Sequence, residues 1–180
     1  MLFRSRSQTA AKGTFKGGLE GQTMAHRRLH TANHLMYAAL RRVLGDHVMQ
    51  RGSNITTERL RFDFNNDAKV TREQLDEVER LVNAWIDADL PVSYTEYPTD
   101  EAFKMGAIGA FGDRYGDTVK VYQMGEGDQR VSFEICGGPH VDHTGQLAQD
   151  DDGTPNNKKF KIVKEESSSA GVRRVKAVLN

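Results

Sequence analysis

His30 and His34 stand four residues apart in a stretch whose apolar residues recur at helical spacing, so their imidazoles project from one face, about a turn apart. Such a pair can hold a metal ion, although surface or core histidines satisfied by hydrogen bonds also fall at this spacing. About a hundred residues later, Cys136-Gly137-Gly138-Pro139-His140 sets a thiolate and an imidazole four apart on a glycine loop after a strand-like run. One sulfur and three imidazole nitrogens suit zinc, whose tetrahedral sites accept mixtures of Cys and His. The combination is far more specific than either half, since Cys136 alone could be an inert buried thiol. Thr31 occupies the position where a helical zinc peptidase places its glutamate base, which counts against peptide hydrolysis. The backbone N–H groups of Gly137 and Gly138 are candidates for stabilising an oxyanion.

These residues need elements to carry them. A helix is expected over His26 to Leu44, stopped by Gly45. Val48 to Ser53 and Arg59 to Phe64 form two expected strands around an Asn54 turn, the second alternating Leu60, Phe62 and Phe64 against Arg59, Arg61 and Asp63. A second long helix follows Thr71 and runs toward Pro91, with Trp85 read as a core residue. Further strands are expected at Pro91 to Tyr97, Val119 to Met124, Arg130 to Ile135, Phe160 to Lys164 and Val172 to Leu179, and a short helix capped by Thr99 precedes the glycine-rich Gly106 to Gly116. Two long helices without regular β-α alternation predict an α+β single domain, an antiparallel sheet with both helices packed on it. Residues 1–24 read as a flexible basic leader and 25–180 as the folded domain; Ala148 to Asn157 reads as a polar loop.

The chain has 180 residues, 28% of them charged, and no apolar run near 20 residues, so membrane spanning is not expected. Its single cysteine excludes an intramolecular disulfide and points to a reducing, cytoplasmic setting. The leader carries Arg4, Arg6, Lys12 and Lys16 with no acid before Glu20, which would fit an organelle if it were a transit peptide. The zero net charge conceals three blocks. Residues 1–61 hold eleven Lys/Arg against three Asp/Glu, residues 62–157 seven against twenty, and residues 158–180 seven against two. If the basic ends lie together, they form a positive face suited to a polyanion.

The segments His30-Thr31-Ala32-Asn33-His34-Leu35, Leu44 to Ser53, Arg59 to Phe64, Arg114-Tyr115-Gly116-Asp117, Cys136 to His140 and Gly171 to Arg174 appear in the order found in one family. The chain resembles the editing domain of alanyl-tRNA synthetase and its free-standing relatives, the AlaX trans-editing proteins, from about Arg27 to Leu179. The resemblance implies zinc held by His30, His34, Cys136 and His140. It implies hydrolysis, in trans, of the ester joining serine or glycine to alanine-accepting tRNA. Gln50 falls where the family places a polar pocket residue, expected to touch substrate or the attacking water, and Thr31 and Ser53 are further substrate-binding candidates. Pro139 departs from the usual alanyl threonine and matches the sister domain of threonyl-tRNA synthetase, so serine on threonine-accepting tRNA is an alternative substrate. Asn33 and the longer loop over Ala148 to Asn157 also depart. A non-catalytic, zinc-stabilised tRNA-binding module is the alternative of another class.

The tRNA partner would rest on the basic ends, with Arg41, Arg42, Lys158, Lys159, Lys161, Arg173, Arg174 and Lys176 as expected phosphate contacts. Zinc can polarise an ester carbonyl and lower the pKa of water, but four protein ligands fill a tetrahedral shell. Expansion of the shell, loss of one ligand to water, or a purely ordering role are all compatible with the sequence.

Overall fold

The structure is a computed structural model that describes residues 19–110 and 114–180; most of the expected leader, and Phe111 to Asp113 of the glycine-rich stretch, lie outside the described residues. Leu19, inside the stretch read as leader, is buried and bridges Ile55, and the Glu20 N–H donates to the Ile55 carbonyl.

Helix α1 spans Met24–Leu44, two residues longer at its start than the periodicity indicates. The two extra residues follow from Thr23, whose hydroxyl caps the helix by accepting from the His26 N–H. At the other end the Gly45 N–H donates to the Arg41 carbonyl. Gly45 sits at φ 127°, where a Cβ would lie 2.9 Å from the His47 ring, so a side chain would be both strained and crowded. The buried face of α1 carries Leu29, Leu35, Met36 and Leu40 together with both histidines.

Strands β1 (Gln50–Ile55) and β2 (Leu60–Asn65) pair antiparallel, but the turn lies at 56–59 rather than at Asn54, which pairs with Arg61 inside the ladder. Thr56 makes that turn, its hydroxyl accepting from the N–H groups of Glu58 and Arg59. Helix α2 (Arg72–Asp87) opens with a reciprocal capping box between Thr71 and Gln74 and buries Leu75, Val78, Val82, Trp85 and Ile86. Strands β3 (Val92–Pro98), β4 (Thr118–Met124) and β5 (Ser132–Ile135) follow, then β6 (Phe160–Ser169) and β7 (Val172–Leu179). Between β3 and β4, the short helix α3 (Thr99–Lys104) has Pro98, not Thr99, at its cap position, because the Thr99 hydroxyl bonds the Gly116 carbonyl instead.

The expected single sheet is two. One has four strands in the order β1-β2-β7-β6, the other three in the order β3-β4-β5, all antiparallel. Phe62, Phe64, Val175 and Ala177 of the larger sheet face the main core with α1 and α2; Val119 and Val121 of the smaller one face a second core with Ala102 and Ala107. Helix α1 packs on β1, β2 and β5, and so spans both sheets. Each helix buries one stripe of side chains, and α1 buries its stripe at the seam, which is what brings its histidines to the end of β5. No helix is long and apolar enough to cross a membrane among the described residues.

Candidate metal centre

The side chains of His30, His34, Cys136 and His140 converge so that one ligand atom from each lies within 4.8 Å of all the others. Helix α1 supplies the first two, and the loop leaving β5 supplies the rest. Cys136 Sγ is 3.4 Å from His30 Nε2 and 3.5 Å from His140 Nε2, and the His30 and His140 rings stack with centroids 4.0 Å apart. The three histidines are buried and Cys136 is half-buried.

The outward nitrogens of two rings are hydrogen-bonded, and that of the third faces a carboxylate. His30 Nδ1 lies 2.9 Å from the Pro139 carbonyl, His140 Nδ1 lies 3.0 Å from Thr31 Oγ1, and His34 Nδ1 lies 2.7 Å from a carboxylate oxygen of Glu134. Ligands fixed in this way keep their other nitrogen aimed inward, the arrangement usual around protein metals. The glycine loop contributes as well, since the Gly138 N–H donates to Cys136 Sγ at 3.3 Å. Gly138 lies at φ 72°, and a Cβ there would come within 2.4 Å of the Tyr122 hydroxyl.

Burial would push the Cys136 thiol up, but the three imidazoles around it hold it well below its ordinary value. Burial likewise disfavours charge on His34, yet Glu134 and the Cys136 thiolate outweigh it and push that ring up to about 10. Burial, reinforced by His30 and His34, drives His140 well below its ordinary value. Cys136 and Glu134 border His34, whose ring they push toward its protonated form, and a cation fits the same place. The donor set, its convergence and its oriented nitrogens therefore fit a metal ion.

Several sequence-expected residues take other places. Thr31 is wholly buried, its hydroxyl lying 3.0 Å from His140 Nδ1 and accepting from the Val141 N–H, so it positions a ligand ring. Gly138 cannot offer its N–H to an oxyanion while that group bonds the sulfur, whereas Gly137 is exposed on the loop. Gln50 sits at a β-bulge, its side chain donating to Ser53 Oγ at 3.3 Å and its backbone N–H to the Tyr37 hydroxyl. These contacts join Gln50 and Ser53 to each other, not to the four ligands.

The basic residues divide. Arg41 donates to the carbonyls of Asp46 and Val48, tying down the turn after α1. Arg173 makes a two-pronged pair with Glu165, and Arg174 another with Asp63, so both carry carboxylate partners within the sheet. Arg42 lies over the Trp85 ring at 4.8 Å. Lys158, Lys159 and Lys161 are exposed, and the half-buried Lys176 lies in register between Arg61 and Lys164. Among the described residues, the basic ends do not form an unbroken positive face. Arg28 pairs with Asp151 at 2.7 Å, and the cleft of about 550 Å³ beside it mixes Lys158 with Asp150, Asp151 and Asp152.

Two residues of the site escaped sequence reasoning. Glu134 on β5 stands two before Cys136, the residue that follows the strand, and alternation carried one residue past its end places both on one face. Tyr122 is its cross-strand neighbour and packs on His140 with ring centroids 4.5 Å apart. Glu134 also lines a cavity of about 200 Å³ with Tyr37, Arg41 and Ser132.

An α+β domain that gathers three histidines and a cysteine from one helix and one distant loop defines a candidate metal-binding module. Residues 119–149, which contain Cys136 and His140, match the threonyl and alanyl tRNA synthetase second additional domain. Over nearly its whole length the chain is a relative of one region of the alanine-tRNA ligases. It is 50% identical to the alanine-tRNA ligase of Treponema denticola over 173 residues, covering 96% of this chain and 26% of that protein. It is 47% identical to that of Borrelia garinii subsp. bavariensis over 180 residues, covering 98% of this chain and 28% of that protein. For Roseiflexus castenholzii the identity is 43% over 169 residues, covering 84% and 18%. The chain thus spans about a quarter of the length of the first two.

Proposed function

We propose that this chain hydrolyses the ester of a mischarged aminoacyl-tRNA, serine or glycine on alanine-accepting tRNA, and that its metal is zinc. The observation that carries the reading is the convergence of His30, His34, Cys136 and His140 in a segment matching the second additional domain of the two synthetases. When bound, zinc supplies positive charge that polarises an ester carbonyl. The protein's own residues do the rest. Thr31, Glu134 and the Pro139 carbonyl fix the ligand rings, the Gly138 N–H supports the thiolate, and Tyr122 covers one side of His140. Gln50 and Ser53 supply polar groups on the neighbouring sheet edge. Serine would be preferred over alanine because a buried polar group left unpaired beside alanine is costly.

The test is the purified, zinc-loaded chain mixed with seryl-, glycyl- and alanyl-tRNA(Ala). Seryl-tRNA should be deacylated fastest, alanyl-tRNA slowest, and equal rates on all three would refute editing. Because the substrate is added in solution, the same assay tests action in trans. Two observations favour other readings. Pro139 favours seryl-tRNA(Thr), which a comparison of the two tRNAs carrying serine decides. The four protein donors make a closed set suited to structural zinc in a tRNA-binding module, a reading upheld if tRNA binds and no ester is cleaved.

A further inference from the structure

The small sheet carries an aromatic row from the metal centre to its exposed edge. Tyr94 on β3, Tyr122 on β4 and Glu134 on β5 are directly paired across the strands, so their side chains share one face. His140 packs on Tyr122, and Tyr122 lies on Tyr94 with ring centroids 5.2 Å apart. The outermost ring is 50% exposed on an edge strand, where a tyrosine serving the core would be covered. Lys120, on the same face of β4, sets its ammonium over that ring at 4.7 Å, although the exposed Glu96 is its cross-strand neighbour.

We propose that Tyr94, with Tyr122 and Lys120, is a stacking platform for the unpaired 3′-terminal nucleotides of an RNA whose terminal ribose reaches the metal centre. The inference rests on the hydrolytic reading above for the direction in which the RNA runs. Exposed aromatic rings beside cations are how proteins hold unpaired bases, the ring taking the base and the cation the phosphate. The distance agrees. Two strand spacings of about 4.8 Å separate Tyr94 from Glu134, a span suited to a terminal nucleoside whose ribose carries the ester. By contrast, Arg173 and Arg174 of the larger sheet are already matched by carboxylates.

The experiment uses the zinc-loaded chain, an uncharged RNA hairpin with four unpaired 3′ nucleotides and its blunt counterpart, with dissociation constants read by fluorescence anisotropy. The overhang should tighten binding by roughly tenfold. Tyr94→Ala should abolish that increment, Tyr94→Phe should keep it, and zinc content should be equal in all three proteins. Tyr94 is exposed on an edge strand, so both variants should fold. Equal binding of the two hairpins, or an increment that survives Tyr94→Ala, overturns the platform. The deacylation assay separates this from the parent reading. Hydrolysis with a KM unmoved by Tyr94→Ala sinks the platform alone, and a KM raised about tenfold at unchanged kcat supports it. A Tyr94-dependent increment without any hydrolysis keeps the platform and removes the enzyme.

Discussion

The two sheets treat charge in opposite ways. On the four-stranded sheet the arginines of β7 meet carboxylates, Arg173 with Glu165 and Arg174 with Asp63, and the inner face is packed with Phe62, Phe64, Val175 and Ala177. On the three-stranded sheet Glu134 faces a histidine ligand, Lys120 faces an aromatic ring, and the strand leads into the metal-binding loop. The larger sheet satisfies the arginines of β7 internally. The smaller one leaves its polar groups directed at places where something else can bind. A basic sequence is therefore a poor guide to a nucleic-acid surface until the partner of each cation is known.

The sharpest way to break this contrast is Cys136→Ala. It should lower zinc affinity by about a hundredfold or more, measured by competition with a chromophoric chelator, and abolish deacylation with it. Phe62→Ala, its counterpart on the larger sheet, should cost about 3–5 kcal/mol in urea unfolding and leave the zinc affinity of the folded fraction unchanged. Stoichiometric zinc in the first variant, or weakened zinc in the second, would erase the division between the sheets.

Glu134→Gln should weaken zinc by about 10- to 100-fold. The pH dependence sharpens this further. In the metal-free chain His34 holds its proton up to about 10, and zinc must displace it. Affinity should thus rise with pH, by about tenfold per unit below that value, and the slope should flatten in the Gln variant because the carboxylate that retains the proton is gone. A slope equal in both proteins would show that Glu134 does not govern the ligand.

On the larger sheet Asp63→Ala strands the Arg174 guanidinium and should cost about 1–3 kcal/mol of stability, without change in zinc affinity. The smallest expected effect separates free cations from paired ones. Lys158→Ala should reduce the salt dependence of tRNA binding by about one unit of slope, and Arg174→Ala should leave it unaltered. If the two change alike, ion pairing does not remove an arginine from RNA binding here.

Much of the scaffold was legible because its signals are local. The capping box at Thr71 and Gln74, the stop at Gly45 and the alternation along β2 each involve residues a few positions apart. The turn at 56–59 was less legible, since Asn54 is as good a turn residue by itself and only the register with Arg61 keeps it in the ladder. The division into two sheets was not legible at all, because strand periodicity says which face is buried and not which strand is the neighbour.

By itself the sequence indicated the ligand chemistry: His30 and His34, four apart on a helix, share a face whatever surrounds them, and Cys136 and His140 lie on one short glycine loop. Only the tertiary structure decided which group orients each ligand, which arginines are neutralised and which tyrosine is bare. Those outcomes depend on side chains 100 or more positions apart, such as Glu134 and His34 or Asp63 and Arg174, meeting in one register. Packing sets that register, and no local spacing encodes it.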